Sequence, residues 1–191
     1  EKGFWLKFGI DEQTLKRFNV SSLEEFSTTS KIGNPYTTKS SSDKFIFAYE
    51  NDNWVKLYKP LDEKKYKFQY LGTKEQGFIF GWKQLPDNGE LLIITGGEKD
   101  VMTLAAKGFN AITLNSETAT LPKRVVDELK LRFKTILVLY DNDETGLKQS
   151  NILAVANGLH RLVLPTLQNN GKDISDYFAN GETFEKFNAL L

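Results

Sequence analysis

The sequence predicts an α/β fold: a parallel four-stranded sheet with helices on both faces, preceded by a small α+β subdomain with antiparallel strands. Two patterns and one size argument lead there. From Glu90 onward, short apolar runs alternate with helical segments, the order of repeated βα units. Before Glu90, aromatic-rich runs alternate in polarity between Asn, Asp, Gly and Pro, the order of hairpins. A chain of 191 residues, 40% hydrophobic and 26% charged, has material for one core or two small subdomains and is too apolar to be disordered throughout. The division is placed between residues 1–89 and 90–191.

In the first part, Asp11 is placed as the N-cap of a helix over residues 12–18. The Ser/Thr-rich stretch 27–42 reads as an exposed loop. Strands are expected at 45–49 and 54–58, separated by the turn-like Glu50-Asn51-Asp52-Asn53, and then at 66–71 and 78–82. In the second part, Leu91-Leu92-Ile93-Ile94-Thr95 is a continuous apolar run, as a parallel strand buried on both faces requires. Gly96-Gly97 turns the chain into a helix over 100–107 that stops at Gly108. A second strand covers 111–114. Pro122 suits the first turn of a helix with Val125, Val126, Leu129 and Phe133 on its apolar face. A third strand spans 135–140 and a helix follows over 145–159, with Leu147, Ala154 and Val155 inward. A fourth strand covers 161–164, and short helices near 174–178 and 183–190 close the chain.

Composition removes several chemistries. There is no cysteine, so no disulfide, thiolate nucleophile or cysteine-bound zinc, and the single histidine, His160, makes a histidine-rich metal site impossible. His160 is read as structural. Basic and acidic residues balance at 25 each, so any basic surface is local. No apolar run approaches the roughly 20 residues that span a bilayer, and a cytoplasmic location without membrane contact is expected. The start at Glu1-Lys2-Gly3-Phe4 reads as a piece of a longer protein. No Gly-x-x-x-x-Gly-Lys-Ser/Thr loop is present.

In an open parallel sheet the ligand site lies beyond the carboxyl ends of the strands. Here those ends are acidic: Gly96-Gly97-Glu98-Lys99-Asp100 after the first strand, Asn115-Ser116-Glu117-Thr118 after the second, Asp141-Asn142-Asp143-Glu144 after the third, and Lys172-Asp173-Ile174-Ser175-Asp176 beyond the fourth. Gathered carboxylates repel one another unless a cation neutralises them. Hard divalent cations take such oxygen ligands together with substrate phosphates. The pattern therefore points to a Mg²⁺ or Mn²⁺ site that positions phosphates, with one metal or two. Lys99 and Lys172 are candidate phosphate contacts. Asp100 and Asp176 also suit helix N-termini.

The runs Ile93-Ile94-Thr95-Gly96-Gly97-Glu98-Lys99-Asp100, Leu137-Val138-Leu139-Tyr140-Asp141-Asn142-Asp143-Glu144-Thr145-Gly146 and Lys172-Asp173 resemble the Toprim fold of DNA primases and topoisomerases. The likeness is to the primase and primase-helicase branch of phages and mobile elements, and it covers about residues 90–181. It implies a Toprim-like, Rossmann-like domain that makes RNA primers on single-stranded DNA from nucleoside triphosphates with Mg²⁺, next to a fused or associated replicative helicase. By resemblance, Asp141 and Asp143 are metal ligands, Asp173 is a further acidic position, and Asp100 opens the first helix beside the nucleotide. Gly146 shapes the phosphate-side turn. One departure stands out: the family's acid/base glutamate falls at Gly96. Glu98 takes over the role and joins the metal site, or Glu117 does, or the chemistry is lost.

Residues 53–84 hold seven lysines against three acids, interleaved with Trp54, Tyr58, Tyr66, Phe68, Tyr70 and Trp82. Cations that track phosphates and rings that stack on bases are how single strands are held. Lys56, Lys59, Lys65 and Lys67 are the candidate template contacts. A small sheet with aromatics inward and lysines outward would look the same. Three other functions fit parts of the pattern: a Toprim-fold nucleic-acid-binding module without catalysis, a Toprim nuclease, and a phosphatase with the Asp-x-Asp-x-Thr motif of haloacid-dehalogenase-like enzymes. The last is ranked low, because its motif follows the first core strand and here follows the third.

Overall fold

The computed structural model describes every residue except Glu1, Lys31, Asn115, Glu117 and Gln168. Helices α1 (Lys2–Leu6) and α2 (Glu12–Arg17) come first. Asp11 caps α2 by accepting from the Thr14 amide at 2.7 Å, as the sequence predicts. Strands β1 (Val20–Ser22), β2 (Glu25–Thr29), β3 (Pro35–Lys39), β4 (Phe47–Glu50), β5 (Trp54–Tyr58) and β6 (Phe68–Gly72) follow. The rest runs β7 (Gly89–Thr95), α3 (Glu98–Ala106), β8 (Asn110–Thr113), α4 (Lys123–Arg132), β9 (Phe133–Leu139), α5 (Glu144–Asn157), β10 (His160–Arg161), α6 (Ile174–Ala179) and α7 (Phe184–Asn188).

The strands form an antiparallel sheet in the order β1-β4-β5-β6, a parallel sheet in the order β10-β9-β7-β8, and a separate β2-β3 hairpin. Alternate residues of β7 feed opposite faces of the parallel sheet. Ile93 packs with Val101, Met102 and Leu104 of α3, and with Ile174, Tyr177 and Phe187 of α6 and α7. Leu92 and Ile94 pack with Val126 and Leu129 of α4, and with Leu153 and Ala154 of α5. Helices thus cover both faces. The α3-side cluster continues into the first part of the chain through Trp5, Phe8, Phe47, Tyr49 and Phe80. The other face of the antiparallel sheet, with Ala48 and Leu57, is covered by Phe26 of the hairpin.

The structure corrects four local expectations. Residues 27–42 are largely the hairpin β2-β3 rather than a loop. Only Phe26 of its two strands is buried, so the alternation that marks a strand is polar on both sides. Residues 78–82 are not a strand: Phe80 makes one antiparallel bridge to Thr113, and Trp82–Gln84 is a 3₁₀ turn. The fourth parallel strand is only His160–Arg161, with His160 exposed. On α5 the inward positions are Gly146, Ser150, Leu153 and Ala154, whereas Val155 is 74% exposed. Among the described residues no helix is long and apolar enough to cross a membrane.

Candidate metal centre and nucleic-acid interface

β7 and β9 pair in parallel and end level, Thr95 opposite Leu139. The segments that leave them therefore start side by side. Three carboxylates meet there: oxygen atoms of Asp100, Asp141 and Asp173 all lie within 4.8 Å of one another. Asp100 comes from the first turn of α3, Asp141 from just beyond β9, and Asp173 from the N-cap of α6, where it accepts from the Asp176 amide at 2.7 Å. Asp100 is buried and accepts from both the hydroxyl and the amide of Ser175.

Burial, then the charge of Asp173, pushes the Asp100 carboxyl well above the usual carboxylate range, against the pull of Lys99 and Ser175. Burial also raises Asp141, with Asp173 and Asp143 adding to the effect and Lys172 opposing it. Three carboxylates gathered this closely, one buried and two half-buried, make a hard, anionic oxygen set. Such a set suits a divalent cation of the Mg²⁺ or Mn²⁺ kind.

Two lysines flank the three carboxylates. Lys99 reaches Asp173 at 3.1 Å and Asp176 at 3.9 Å, and lies 4.3 Å from the centre of the Phe8 ring. Lys172 reaches Asp141 at 2.7 Å and Asp143 at 2.8 Å. Asp143 caps α5 by accepting from the Gly146 amide at 2.9 Å, and its oxygens do not join the three-carboxylate group. Lys172, then the Gly146 amide, holds Asp143 below the usual carboxylate range. Gly146 has a steric reason to be glycine: a Cβ there would lie 2.2 Å from the Asp141 carbonyl oxygen. The bare backbone lets the first turn of α5 sit against Asp141.

The carboxylates open into a cleft of about 460 Å³. One wall is Gly96 to Asp100, with Asp141, Lys172 and Asp173; the opposite wall is the face of the antiparallel sheet that carries Tyr49, Tyr58 and Phe68, with Lys64 and Lys67. Glu98 lines this cleft, but its carboxylate accepts from Lys56, and both side chains are mostly buried. Of the four lysines singled out in the sequence, only Lys67 lines the cleft. Lys56 is buried on Glu98 and lies 4.2 Å from the Phe68 ring centre. Lys59 is mostly buried beside Asp62 at 3.6 Å, and Lys65 is exposed beside Glu63 at 3.4 Å. Lys64 lines the cleft although the sequence reading did not single it out. Of the aromatics in this stretch, Trp54 is buried while Tyr66, Phe68 and Tyr70 are exposed. Glu117 lies outside the described residues.

Residues 93–178 match the family model of Toprim-like domains, and the parallel sheet and helices they build have a Toprim-like fold. The whole chain has the fold of primase catalytic cores. The primase fragment of the bacteriophage T7 primase-helicase protein superimposes with a TM-score of 0.68 at 19% identity, over 97% of this chain and 72% of that one. The catalytic domain of DnaG primase bound to single-stranded DNA gives 0.67 at 17% identity, over 98% and 71%. The E. coli primase catalytic core gives 0.66 at 16% identity, over 98% and 70%. At these identities the likeness is one of fold. No curated protein sequence matches the chain.

Proposed function

We propose that this chain is the catalytic core of a DNA primase, which joins ribonucleotides on a single-stranded DNA template with Mg²⁺ or Mn²⁺. The observation that supports this most is the convergence of Asp100, Asp141 and Asp173 on one wall of a cleft whose rim carries Lys64, Lys67, Lys99 and Lys172. A divalent cation held by the three carboxylates would supply charge stabilisation to a triphosphate. The chain's own part is to position that triphosphate. Lys172 and Lys99 place positive charge beside the carboxylates, and Lys64 and Lys67 do so from the opposite wall. The exposed Tyr66, Phe68 and Tyr70 next to these lysines suit stacking against a single strand. Glu98 is the acid/base candidate within the cleft. The T7 relative is part of a primase-helicase protein, which supports a helicase as the fused or associated partner.

A second reading is favoured by one observation. Gly96 brings no carboxylate to the cleft, and Glu98 is engaged with Lys56. A nucleic-acid-binding module that keeps the fold without the chemistry would look like this. One assay separates the readings: incubation with nucleoside triphosphates, a single-stranded DNA template and Mn²⁺. Primase activity predicts oligoribonucleotides in the wild type and none in Asp141→Ala, with the fold retained by circular dichroism. Shortened DNA in place of RNA would mean a nuclease. Absence of both products, with DNA affinity that falls steeply in salt, would overturn the primase reading in favour of the module.

A further inference from the structure

The sequence offers Asp141 and Asp143 as an Asp-x-Asp pair fit to share a metal, but the fold puts an ammonium group between them. Lys172 Nζ lies 2.7 Å from Asp141 and 2.8 Å from Asp143. This lysine is held from its backbone as well. Its carbonyl accepts from the Asn142 amide at 2.7 Å, and its own amide donates to Asp176 at 3.0 Å. Asn142 is the residue between the two aspartates, and its side chain is tied in turn to the Leu164 carbonyl at 2.7 Å. The loop that carries Lys172 is thus fastened to the Asp-x-Asp turn itself. Asp143 meanwhile contributes no oxygen to the Asp100, Asp141 and Asp173 group.

We propose that Lys172 is the second cation of this site: the chain takes one divalent cation, at Asp100, Asp141 and Asp173, and the Lys172 ammonium stands between Asp141 and Asp143 where a second would otherwise sit. The proposal rests on the phosphate-handling reading above and deepens it. Lys172 is half-exposed on the same cleft, so its charge faces the phosphate chain as well as the two aspartates. Asp143 is then the residue that positions Lys172, and Asp141 is shared between the lysine and the divalent cation.

The count of bound Mn²⁺ tests this without reference to activity. The full chain is titrated with Mn²⁺ and the free ion is followed by electron paramagnetic resonance. The wild type is expected to bind one Mn²⁺ per chain. Lys172→Met removes the charge, keeps the stem, and is expected to bind two. Lys172→Arg and Lys172→Met/Asp143→Asn are each expected to return the count to one. Asp143→Asn alone, which leaves Lys172 in place, is also expected to bind one. Two ions in the wild type, or an unchanged count of one in Lys172→Met, would overturn the role of Lys172 and leave the three-carboxylate site standing. No ion in the wild type would overturn that site and this proposal with it.

Discussion

Asp100 shows how one side chain can matter to both stability and ligand binding. Its carboxyl is 4% exposed, and burial together with Asp173 raises its pKa well above the ordinary value. A carboxyl whose pKa is higher in the folded state stabilises the fold below its unfolded pKa, near 4, and loses that contribution as pH rises through the folded value. The cation-free chain is therefore expected to be strained at neutral and higher pH. Asp100→Asn keeps an oxygen for Ser175 and removes the charge. In a chelator at pH 8 it should gain about 1–2 kcal/mol, roughly 2–8 °C in Tm for a chain of this length, and the gain should vanish toward pH 4. Melting curves at the two pH values check this; an equal or lower Tm at pH 8 would contradict it. The same change should weaken Mn²⁺ binding. The place of Asp141 in the carboxylate group was legible because an acid just beyond a buried parallel strand lies at the carboxyl end of the sheet. The choice of Asp100 over Glu98 was not. Two residues along a helix turn the side chain by about 200°, which sends Glu98 to Lys56 and Asp100 to Ser175. Which side faces the carboxylates is decided by what packs on α3.

At the scale of elements, the site depends on how closely α5 starts against the end of β9. Gly146 makes that approach possible, since any Cβ would overlap the Asp141 carbonyl. Gly146→Ala is expected to cost about 1–3 kcal/mol, the usual penalty of overpacking. Because the strain falls on Asp141, it should also lower Mn²⁺ affinity. Chemical denaturation and a Mn²⁺ titration of the same variant check both parts, and unchanged values in each would contradict the packing argument. The parallel strands and their helices were legible because each buries a continuous or 3.6-periodic apolar face. The β2-β3 hairpin was not, since Phe26 is the one buried residue of its two strands and the remaining residues there are Ser and Thr with Glu25, Pro35, Tyr36 and Lys39. Phe78 to Trp82 misled for the opposite reason: its aromatics are held by packing and by a single bridge from Phe80 to Thr113, not by a strand ladder. Gly81 enters that turn at a φ of 90°, with the Ala111 carbonyl 2.6 Å from where a Cβ would stand, a close approach that no periodicity reveals.

At the scale of the molecule, the antiparallel and parallel sheets share one apolar cluster, from Trp5 and Phe47 through Phe80 to Ile93 and Met102. The cleft lies where their polar edges face each other. The carboxylates come from the parallel sheet, and Tyr49, Tyr58, Phe68, Lys64 and Lys67 come from the other side. Net charge is zero over the chain, yet the cleft sets a small acidic centre inside a ring of lysines, an arrangement fit for a cation and a polyphosphate together. The sequence showed acids at the strand ends; it took the fold to select three of them and to set Asp143 aside with Lys172. A Mn²⁺-soaked crystal with anomalous scattering data tests this most directly. The account predicts a single peak among the carboxylates of Asp100, Asp141 and Asp173, with Lys172 still between Asp141 and Asp143. A peak bridging Asp141 and Asp143 with Lys172 displaced, or no peak at saturating Mn²⁺, would contradict it.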